Sequence, residues 1–585
     1  MNFPARSLSS FTWTCWTAIY KVDEDTDVIT EDDCYGIWPQ VEQADAAEVK
    51  QFVETKSFRK VHRRSLEEDM VIVDAVWIRK WKRMPDGSRK VKSRLCARGC
   101  FDTQKDLLST RSTTATRLSQ RLLLSLSVNS EFENESWDVS GAFLKGFDFR
   151  RVQELLRAKG IVSPDRRVVV IVPANVWRHL MSFDEAFRVP MDQLGEYMLL
   201  CLKPVYGLND APLAWQLCLH DFLASEGGIQ SQLDECLWYW KYPSEKLKAI
   251  LTTHVDDLAS GGKTTWMNYM YQKLVAKFGK VTRQTLPFEH CGVKYSRLPD
   301  GGLCMSQDDF CAKLKEAEVN KARKDDELLT AADLTAFRSV LGGLLWLTAT
   351  RLDLVADVST LQSQVTKATV GHLRQANKVV QRARAEIGQN LGIYFKKLQE
   401  PLRLMCVHDS SAAGNVRSCA QEGVLVLLCE DRMQFPSDVY EVTMTDYQTK
   451  MIGGTSHVLW SHGAKAKRIS YSTSHAETLA AVSGLEAATL VSVRVAEIMY
   501  VPGRPSLHSL IAVQEGGVRE LPIDHCTDCA DFYALATGTR NLPQDKGQRL
   551  YILALREARL AGRLRWTLLV PTQSMTADAL TKVMY

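Results

Sequence analysis

AILTTHVDDLASGG, residues 249–262, decides how the chain is read. A short β-prone run reaches two adjacent carboxylates, Asp256 and Asp257, and Ser260-Gly261-Gly262 follows. This is the pattern of a hairpin tip that holds a metal ion. Side chains alternate faces along a strand, so both acids cannot point straight at one ion. The simplest arrangement makes Asp256 the principal ligand and leaves Asp257 at the turn as a second or indirect one. A second strand-end carboxylate, Asp138, lies upstream in WDVSGAFLKG, residues 137–146. Three carboxylates suit the charge of two hard divalent ions about 3.5–4 Å apart, an arrangement that activates one oxygen and stabilises another in phosphoryl transfer. Taken alone, an Asp-Asp doublet reads first as a solvated turn.

The chain has 585 residues, too many for one ordinary core, so several domains are expected. Its 45% hydrophobic and 24% charged residues are those of a soluble globular protein. A net charge of +4 says little about partners at this length, whereas local clusters say more. KSFRKVHRR (56–64), RKWKR (79–83) and RKVKSRLCAR (89–98) concentrate cations near the N-terminus, either as a phosphate-backbone footprint or as solvated faces. The fifteen cysteines are scattered and odd in number, which favours a reducing compartment. Cys526 and Cys529 form a CxxC beside His525, without the second ligand pair that structural zinc needs. FTWTCWTAIY (11–20) is too short and polar for a signal-peptide core, and runs such as VVVIVPANVW (168–177) are too short to span a bilayer. The expectation is an intracellular protein of cytoplasm or nucleus, with no membrane partner.

Residues 1–37 are acidic in part and weakly patterned, and read as a leader or linker. A helical stretch follows from about Pro39. Residues 70–99 then read as two strands joined at Pro85-Asp86-Gly87. RLSQRLLLSLSVNS (117–130) has apolar residues at helical spacing, so its leucines belong to a core. Residues 307–400 look mainly helical. A second α/β pattern opens near Leu402 and carries four separated acids: Asp409 at a strand end, Glu477 in the first turns of a helix, Asp528 after an apolar run, and Asp578 near the start of a short helix.

The order of motifs resembles the reverse transcriptase region of Ty1/copia-type retrotransposon polyproteins, collinearly from about residue 38 to 582. VWIRKWKRMPDGSRKVKSRLCARG (76–99) is similar to that family's opening strand pair, and WDVSGAFLKG to its LDVxxAFLNG. CLKPVYGLNDAPLAWQ (201–216) is similar to LKKALYGLKQAPRAWY, and HVDD to YVDD. FRSVLGGLLWLTATRLDLVADVS (337–359) is similar to the segment that joins polymerase to nuclease. VHDSSAAG, ISYSTSHAETLAA and VPTQSMTADALTK are similar to the family's ribonuclease H motifs.

The resemblance implies an α+β and α/β multidomain chain: fingers and palm over 38–300, a helical thumb and connection over 301–401, and a ribonuclease H-like domain over 402–585. It implies Asp138, Asp256 and Asp257 as one metal-binding triad, and Asp409, Glu477, Asp528 and Asp578 as a second set, with two Mg²⁺ (or Mn²⁺) per site. Asp528 has neighbours Asp524 and Asp531 as alternatives. Phe143 corresponds to the aromatic that excludes a ribonucleotide 2′-OH, although a core aromatic is its plainer role. Gly207 and Pro212 fall in the loop that supports template and incoming nucleotide, with Tyr206 beside it. Lys92 and Arg94 are candidates to hold the triphosphate, or to track the template backbone. RNA template, DNA primer, RNA–DNA hybrid and deoxynucleoside triphosphates are the implied partners. The oligomeric state is not fixed by these motifs.

Several positions depart from the pattern. His254 replaces the usual Tyr, Asn209-Asp210 replace Lys-Gln, Ser411 stands for an Asp and His475 for a Glu. The asparagine–aspartate change removes a cation from the template loop and adds an anion. Integrase, protease and zinc-knuckle motifs are not found. Two other readings follow: a catalytically silent retroelement remnant that only binds nucleic acid, and a DNA-templated polymerase.

Overall fold

The computed structural model describes residues 27–83, 87–411, 420–432, 442–443 and 454–583. Within them the chain builds four sheets. The first contains β1 (Phe58–His62), β2 (Val71–Arg83), β3 (Arg89–Ala97), β5 (Val168–Ile171) and β6 (Tyr197–Cys201), in the order β1-β6-β5-β2-β3. β2 and β3 form the expected antiparallel pair, while Pro85 and Asp86 of the expected turn lie outside the described residues. Helix α2 (Trp38–Glu54) packs on this sheet, burying Val49 and Phe52 against Val71, Val73, Leu95 and Ala97.

Residues 27–37 are not a linker, whereas 1–26 lie outside the described residues. The Ile29 N–H donates to the Arg79 carbonyl at 3.0 Å, and Ile29 and Cys34 are buried with Val41 and Val91. Of the acids that suggest a linker, Glu31, Asp32 and Asp33 are the first turn of helix α1 (Glu31–Gly36), closed by a Thr30–Asp33 capping box. Carboxylates at a helix N-terminus stabilise it through the free N–H groups there.

The second sheet contains β4 (Glu133–Val139), β7 (Ile229–Gln230), β8 (Leu237–Lys241), β9 (Leu247–His254), β10 (Asp257–Gly262) and β11 (Val281–Thr285), in the order β11-β4-β10-β9-β8-β7. Helix α3 (Arg117–Asn129) covers one face and helices α4 (Ala211–Ser225) and α5 (Thr264–Phe278) the other. The period-2 rule is visible in β10: Leu258 joins Trp137, Trp215 and Trp266, while Ala259 joins Leu123, Leu124 and Ile250. Gly261 is required by packing. A Cβ there would sit 2.2 Å from Ser127 Oγ on α3, so glycine lets helix and strand close.

The third sheet runs β12 (Phe288–His290), β13 (Val293–Arg297), β14 (Leu303–Ser306), β15 (Ile393–Phe395). The division expected at 300/301 therefore falls inside the β13–β14 hairpin. The helical segment, α6 (Ala331–Leu347), α7 (Val355–Ser363) and α8 (Val370–Ala385), is an excursion that returns to the same sheet through β15. Three residues, Ile393-Tyr394-Phe395, are too short a β signal to stand out between polar stretches, yet Phe395 is fully buried beside Tyr295.

The fourth sheet contains β16 (Leu402–Ser411), β17 (Gln421–Glu430), β18 (Val442–Thr443), β19 (Ser456–Lys465), β20 (Ile523–Thr527) and β21 (Trp566–Leu569), in the order β18-β21-β20-β16-β17-β19. β20 runs parallel to β16 and β21, and β17 is antiparallel to β16 and β19. Helix α9 (Thr473–Met499) crosses one face and buries Ala488, Val491 and Val495 against Cys406, Val424 and Val426. By length and composition α9 could cross a membrane, but here it is mostly buried in a core. It also ties this sheet to the second. Arg494 donates to Ser119 Oγ (2.9 Å) and to the Leu233 carbonyl (2.8 Å), and Ser231 Oγ donates to Glu497 (2.7 Å).

Candidate active sites

β9 ends at His254 and β10 begins at Asp257, so Val255 and Asp256 form the turn. This corrects the expected register by one residue: Asp256, not Asp257, sits in the turn. Asp257 instead lies directly opposite Asp138 across the β10–β4 pair, which puts both carboxylates on one face of the sheet. The turn is strained. Val255 has φ = +60°, a left-handed conformation that costs a β-branched residue about 1–3 kcal/mol. Its surroundings hold it. Trp215 Nε1 donates to the Val255 carbonyl (2.6 Å) and the Val139 N–H to the Asp256 carbonyl (3.3 Å). On the other strand, the Ala115 N–H donates to the Thr253 carbonyl at 3.1 Å, beside a bridge between Thr114 and His254.

The three carboxylates repel one another. Burial pushes Asp257 up to about 7, with Asp256, Asp138 and Glu289 adding to it. Burial also raises Asp138, and Asp256 adds to the shift, while Lys92, Lys82 and Arg94 oppose it. Carboxylates held together against their own charge are a donor set that fits divalent cations.

The triad opens into a cleft of about 2160 Å³. Lys92, Arg94, Phe143, Tyr206, Gly207 and Pro212 all line that cleft, so the structure brings every residue singled out by sequence for substrate contact to the triad. The Arg94 guanidinium lies over the Tyr206 ring at 5.5 Å, and Phe143 is 5.8 Å from the same ring. Phe143 sits on a 3₁₀ turn, Ala142–Lys145, half-buried, where it both packs on the core and faces the cleft. Gly207 has φ = +89°, and a Cβ there would meet the Ala97 carbonyl oxygen at 2.0 Å. Glycine therefore lets the loop cross the end of β3, where the Ala97 N–H donates to the Tyr206 carbonyl at 2.8 Å.

Two departures acquire a physical account. Asp210 is buried and accepts from Arg166 Nε at 3.0 Å, while Arg166 also pairs with Asp102. The added anion is thus paired from outside the loop by Arg166, a cation it shares with Asp102. His254 lines the cleft, and burial lowers its pKa, which favours the neutral ring. Sequence reasoning missed Lys82, Lys145, Lys203 and Glu48, which also line the cleft. Lys82, Lys145 and Lys203 lie within the quoted motifs, where nothing singled them out from neighbouring cations, and Glu48 gave no signal.

The second site is built differently. Asp409, Glu477 and Asp528 offer ligand atoms all within 4.8 Å of one another. Among the described residues no other group of three such side chains is so close. Asp409 comes from β16, Glu477 from the second turn of α9, and Asp528 from the residue after β20. Burial lifts Asp409 to about 7; the Thr581 hydroxyl, which donates to it, opposes this, and Glu477 adds to it. Burial likewise lifts Glu477 to about 7, against hydrogen bonds from the Ser410 N–H (3.0 Å) and hydroxyl (2.9 Å). This set also fits divalent cations.

Asp578 opens helix α10 (Asp578–Thr581) beside this cluster rather than within it. Lys582 Nζ donates to Asp578 at 2.6 Å and lies 3.9 Å from Asp409. Of the three nearby acids, only Asp528 joins Asp409 and Glu477 in this cluster. Asp524 is fully buried and consumed by Arg403 (3.1 Å) and Arg565 (2.6 Å), and Asp531 is exposed and pairs with Arg540 (2.6 Å). The VHDSSAAG motif is described as far as Ser411, and its last residues lie outside the described ones.

Together the elements define an α+β multidomain chain built on four sheets, with one acid cluster on the second sheet and another on the fourth. No protein-family model matches the chain. Over 362 residues it is 25% identical to the retrovirus-related Pol polyproteins from transposons RE2 and RE1 of Arabidopsis thaliana, covering 59% of this chain and 22% of each relative. Over 194 residues it is 28% identical to the Pol polyprotein from transposon TNT 1-94 of Nicotiana tabacum, covering 32% of this chain and 12% of the relative. These relatives are retrovirus-related Pol polyproteins, and the chain spans about a fifth of the length of the first two. Among solved structures, it is similar to a foamy viral protease-reverse transcriptase in complex with double-stranded DNA, with 9% identity, a TM-score of 0.46, and coverage of 97% of this chain and 84% of that one. The foamy viral protease-reverse transcriptase with an RNA/DNA hybrid gives a TM-score of 0.40 at 9% identity, covering 97% and 64%.

Proposed function

We propose that the chain is an RNA-directed DNA polymerase with a linked ribonuclease H. One observation carries the reading: Asp138, Asp256 and Asp257 share a single cleft with Lys92, Arg94, Phe143, Tyr206, Gly207 and Pro212. In the proposed reaction a primer 3′ oxygen attacks the α-phosphorus of a deoxynucleoside triphosphate. The new O3′–P bond forms as the bond to the β-phosphate oxygen breaks, and pyrophosphate leaves. Lys92 and Arg94 bind the triphosphate oxygens, Arg94 by a planar fork. Phe143 lies against the sugar and excludes a 2′-hydroxyl, and Tyr206 supports the nucleotide from the loop pinned by Gly207. Asp138, Asp256 and Asp257 would hold the ions. Mg²⁺, or Mn²⁺, bound as two ions per site would supply Lewis-acid polarisation and charge neutralisation.

In the second site Asp409, Glu477 and Asp528 would hold ions, with Asp578 beside them, and hydrolyse the RNA strand of an RNA–DNA hybrid. Ser410 and Thr581 fix Glu477 and Asp409 through their hydrogen bonds. The partners proposed are RNA template, DNA primer, hybrid and deoxynucleoside triphosphates, in the cytoplasm or nucleus. Residues 38–300 would act as fingers and palm, 301–401 as thumb and connection, and 402–585 as the nuclease.

The test is primer extension by the full chain on RNA and on DNA templates, with Mg²⁺ and with Mn²⁺. Incorporation on primed RNA that is lost in Asp256→Asn supports the proposal. Binding of the primed template without incorporation in either metal supports a silent remnant, and incorporation on DNA alone supports a DNA-templated enzyme.

A further inference from the structure

Glu48 belongs to none of the motifs above. It lies on α2, only 5% exposed, and it lines the cleft. β3 is the edge strand of the first sheet, and α2 reaches over that edge. The Leu95 N–H donates to Glu48 Oε1 at 3.3 Å, and Gln51 Nε2 donates to Oε2 at 3.4 Å. The carboxylate therefore caps the sheet edge at Leu95, next to Arg94 and three residues after Lys92, the two residues assigned to the triphosphate. Both cations act on it electrostatically, and Asp45 acts from its own helix. Tyr206 and Cys96 feel its charge from the loop and from β3. Among the described residues, Lys92 and Arg94 make no side-chain ion pair within 4.0 Å, so their polar ends remain available to an anion.

A buried anion beside two phosphate-binding cations is costly if its only task is to cap one backbone N–H. A neutral acceptor would do that without charge. Its charge, however, subtracts from the pull of Lys92 and Arg94 on any polyphosphate. That subtraction weighs most on pyrophosphate, which lacks the base, sugar and template contacts of a nucleotide.

We propose that Glu48 is a positioning residue that limits the grip of Lys92 and Arg94 on polyphosphate, so that pyrophosphate leaves after each addition. The proposal rests on the polymerase reading.

The test is Glu48→Gln in the full chain, which keeps an acceptor for Leu95 and removes the charge. Inorganic pyrophosphate is the probe, by direct titration and by inhibition of primer extension. The expected result is pyrophosphate binding tighter by about tenfold, the scale of removing one like charge a few ångströms away in a partly solvated site. Product inhibition rises in parallel. Burial, partly offset by Leu95, Arg94 and Lys92, holds Glu48 at about 7. The difference between wild type and variant is therefore expected at pH 8 and lost at pH 6. A merely structural role predicts unchanged or weaker pyrophosphate binding at both pH values, and that result overturns the proposal. Glu48→Ala guards against a compensating glutamine contact: it too should bind pyrophosphate more tightly, although with a lower melting temperature. Direct titration separates the two claims. No incorporation by wild type defeats the polymerase reading, whereas wild-type incorporation with unchanged pyrophosphate affinity in Glu48→Gln defeats only the role of Glu48.

Discussion

The two acid clusters of this chain are opposites in construction. The first lies on one hairpin and its neighbouring strand, faces a cleft of about 2160 Å³, and is ringed by Lys82, Lys92, Arg94 and Lys145. The second gathers Asp409, Glu477 and Asp528 from three separate elements into 4.8 Å, with Lys582 the cation at its side. A site that must take a triphosphate and a duplex needs space and cations as well as acids. A site that cuts one phosphodiester needs acids to hold its ions, and has no triphosphate to bind. The difference teaches that the clusters are separate chemical units, although α9 physically joins them by carrying Glu477 at one end and Arg494 against the second sheet near the other.

That separation can be broken first at the second cluster. Glu477→Gln and Asp528→Asn should each lower hybrid cleavage by on the order of 10³-fold while leaving primer extension intact, because each removes a carboxylate that would hold an ion beside the reacting phosphate. Loss of extension in these variants would show the sites to be one unit. Asp531→Asn should leave both activities unchanged, and a cleavage assay on the three variants tests the choice among the neighbouring acids.

A smaller effect belongs to the adjacent acid that geometry assigns to structure. Asp524→Asn removes the fully buried carboxylate shared by Arg403 and Arg565 and leaves them Asp431, so it should cost up to about 3 kcal/mol in denaturant unfolding. The same change at Asp531, an exposed pair, should cost no more than about 1 kcal/mol.

The pH dependence of the metal-free chain sharpens the likeness between the sites. Asp257, Asp409 and Glu477 stand at about 7 when folded, above ordinary values of 3.8, 3.8 and 4.5. The folded state thus binds their protons more tightly than the unfolded one. The stability they contribute is fully present below about pH 4 and is lost as pH rises through 7. Melting temperature in a chelator should fall between pH 5 and 8, and Mg²⁺ should restore it most at pH 8, where it no longer competes with protons. A melting temperature that rises over this range would contradict the assignment of these groups.

Much of this was legible in the sequence because it is local. The strand before Asp138, the hairpin at Asp256-Asp257 and the helix turn that bears Glu477 follow from spacing within a few residues. The register of the hairpin was not, because Val255 takes a left-handed turn that only Trp215 and its neighbours stabilise. Glu48 and Lys582 were missed for a different reason. Each meets its partners through packing between distant elements, and a lone glutamate on a helix carries no mark of the strand edge it will cap. The third sheet misled for a third reason, since its last strand is three residues long and returns after three helices. Asp210 read as an added anion because Arg166, which cancels it, lies on another segment.

The central claim is that Asp138, Asp256 and Asp257 serve polymerisation independently of the nuclease acids. Its most direct measurement compares wild type with Asp256→Asn on one primed RNA template, recording primer extension and cleavage of a preformed hybrid in the same Mg²⁺ buffer. The account predicts extension lost by on the order of 10³-fold with hybrid cleavage unchanged. Extension at the wild-type rate in Asp256→Asn would contradict it.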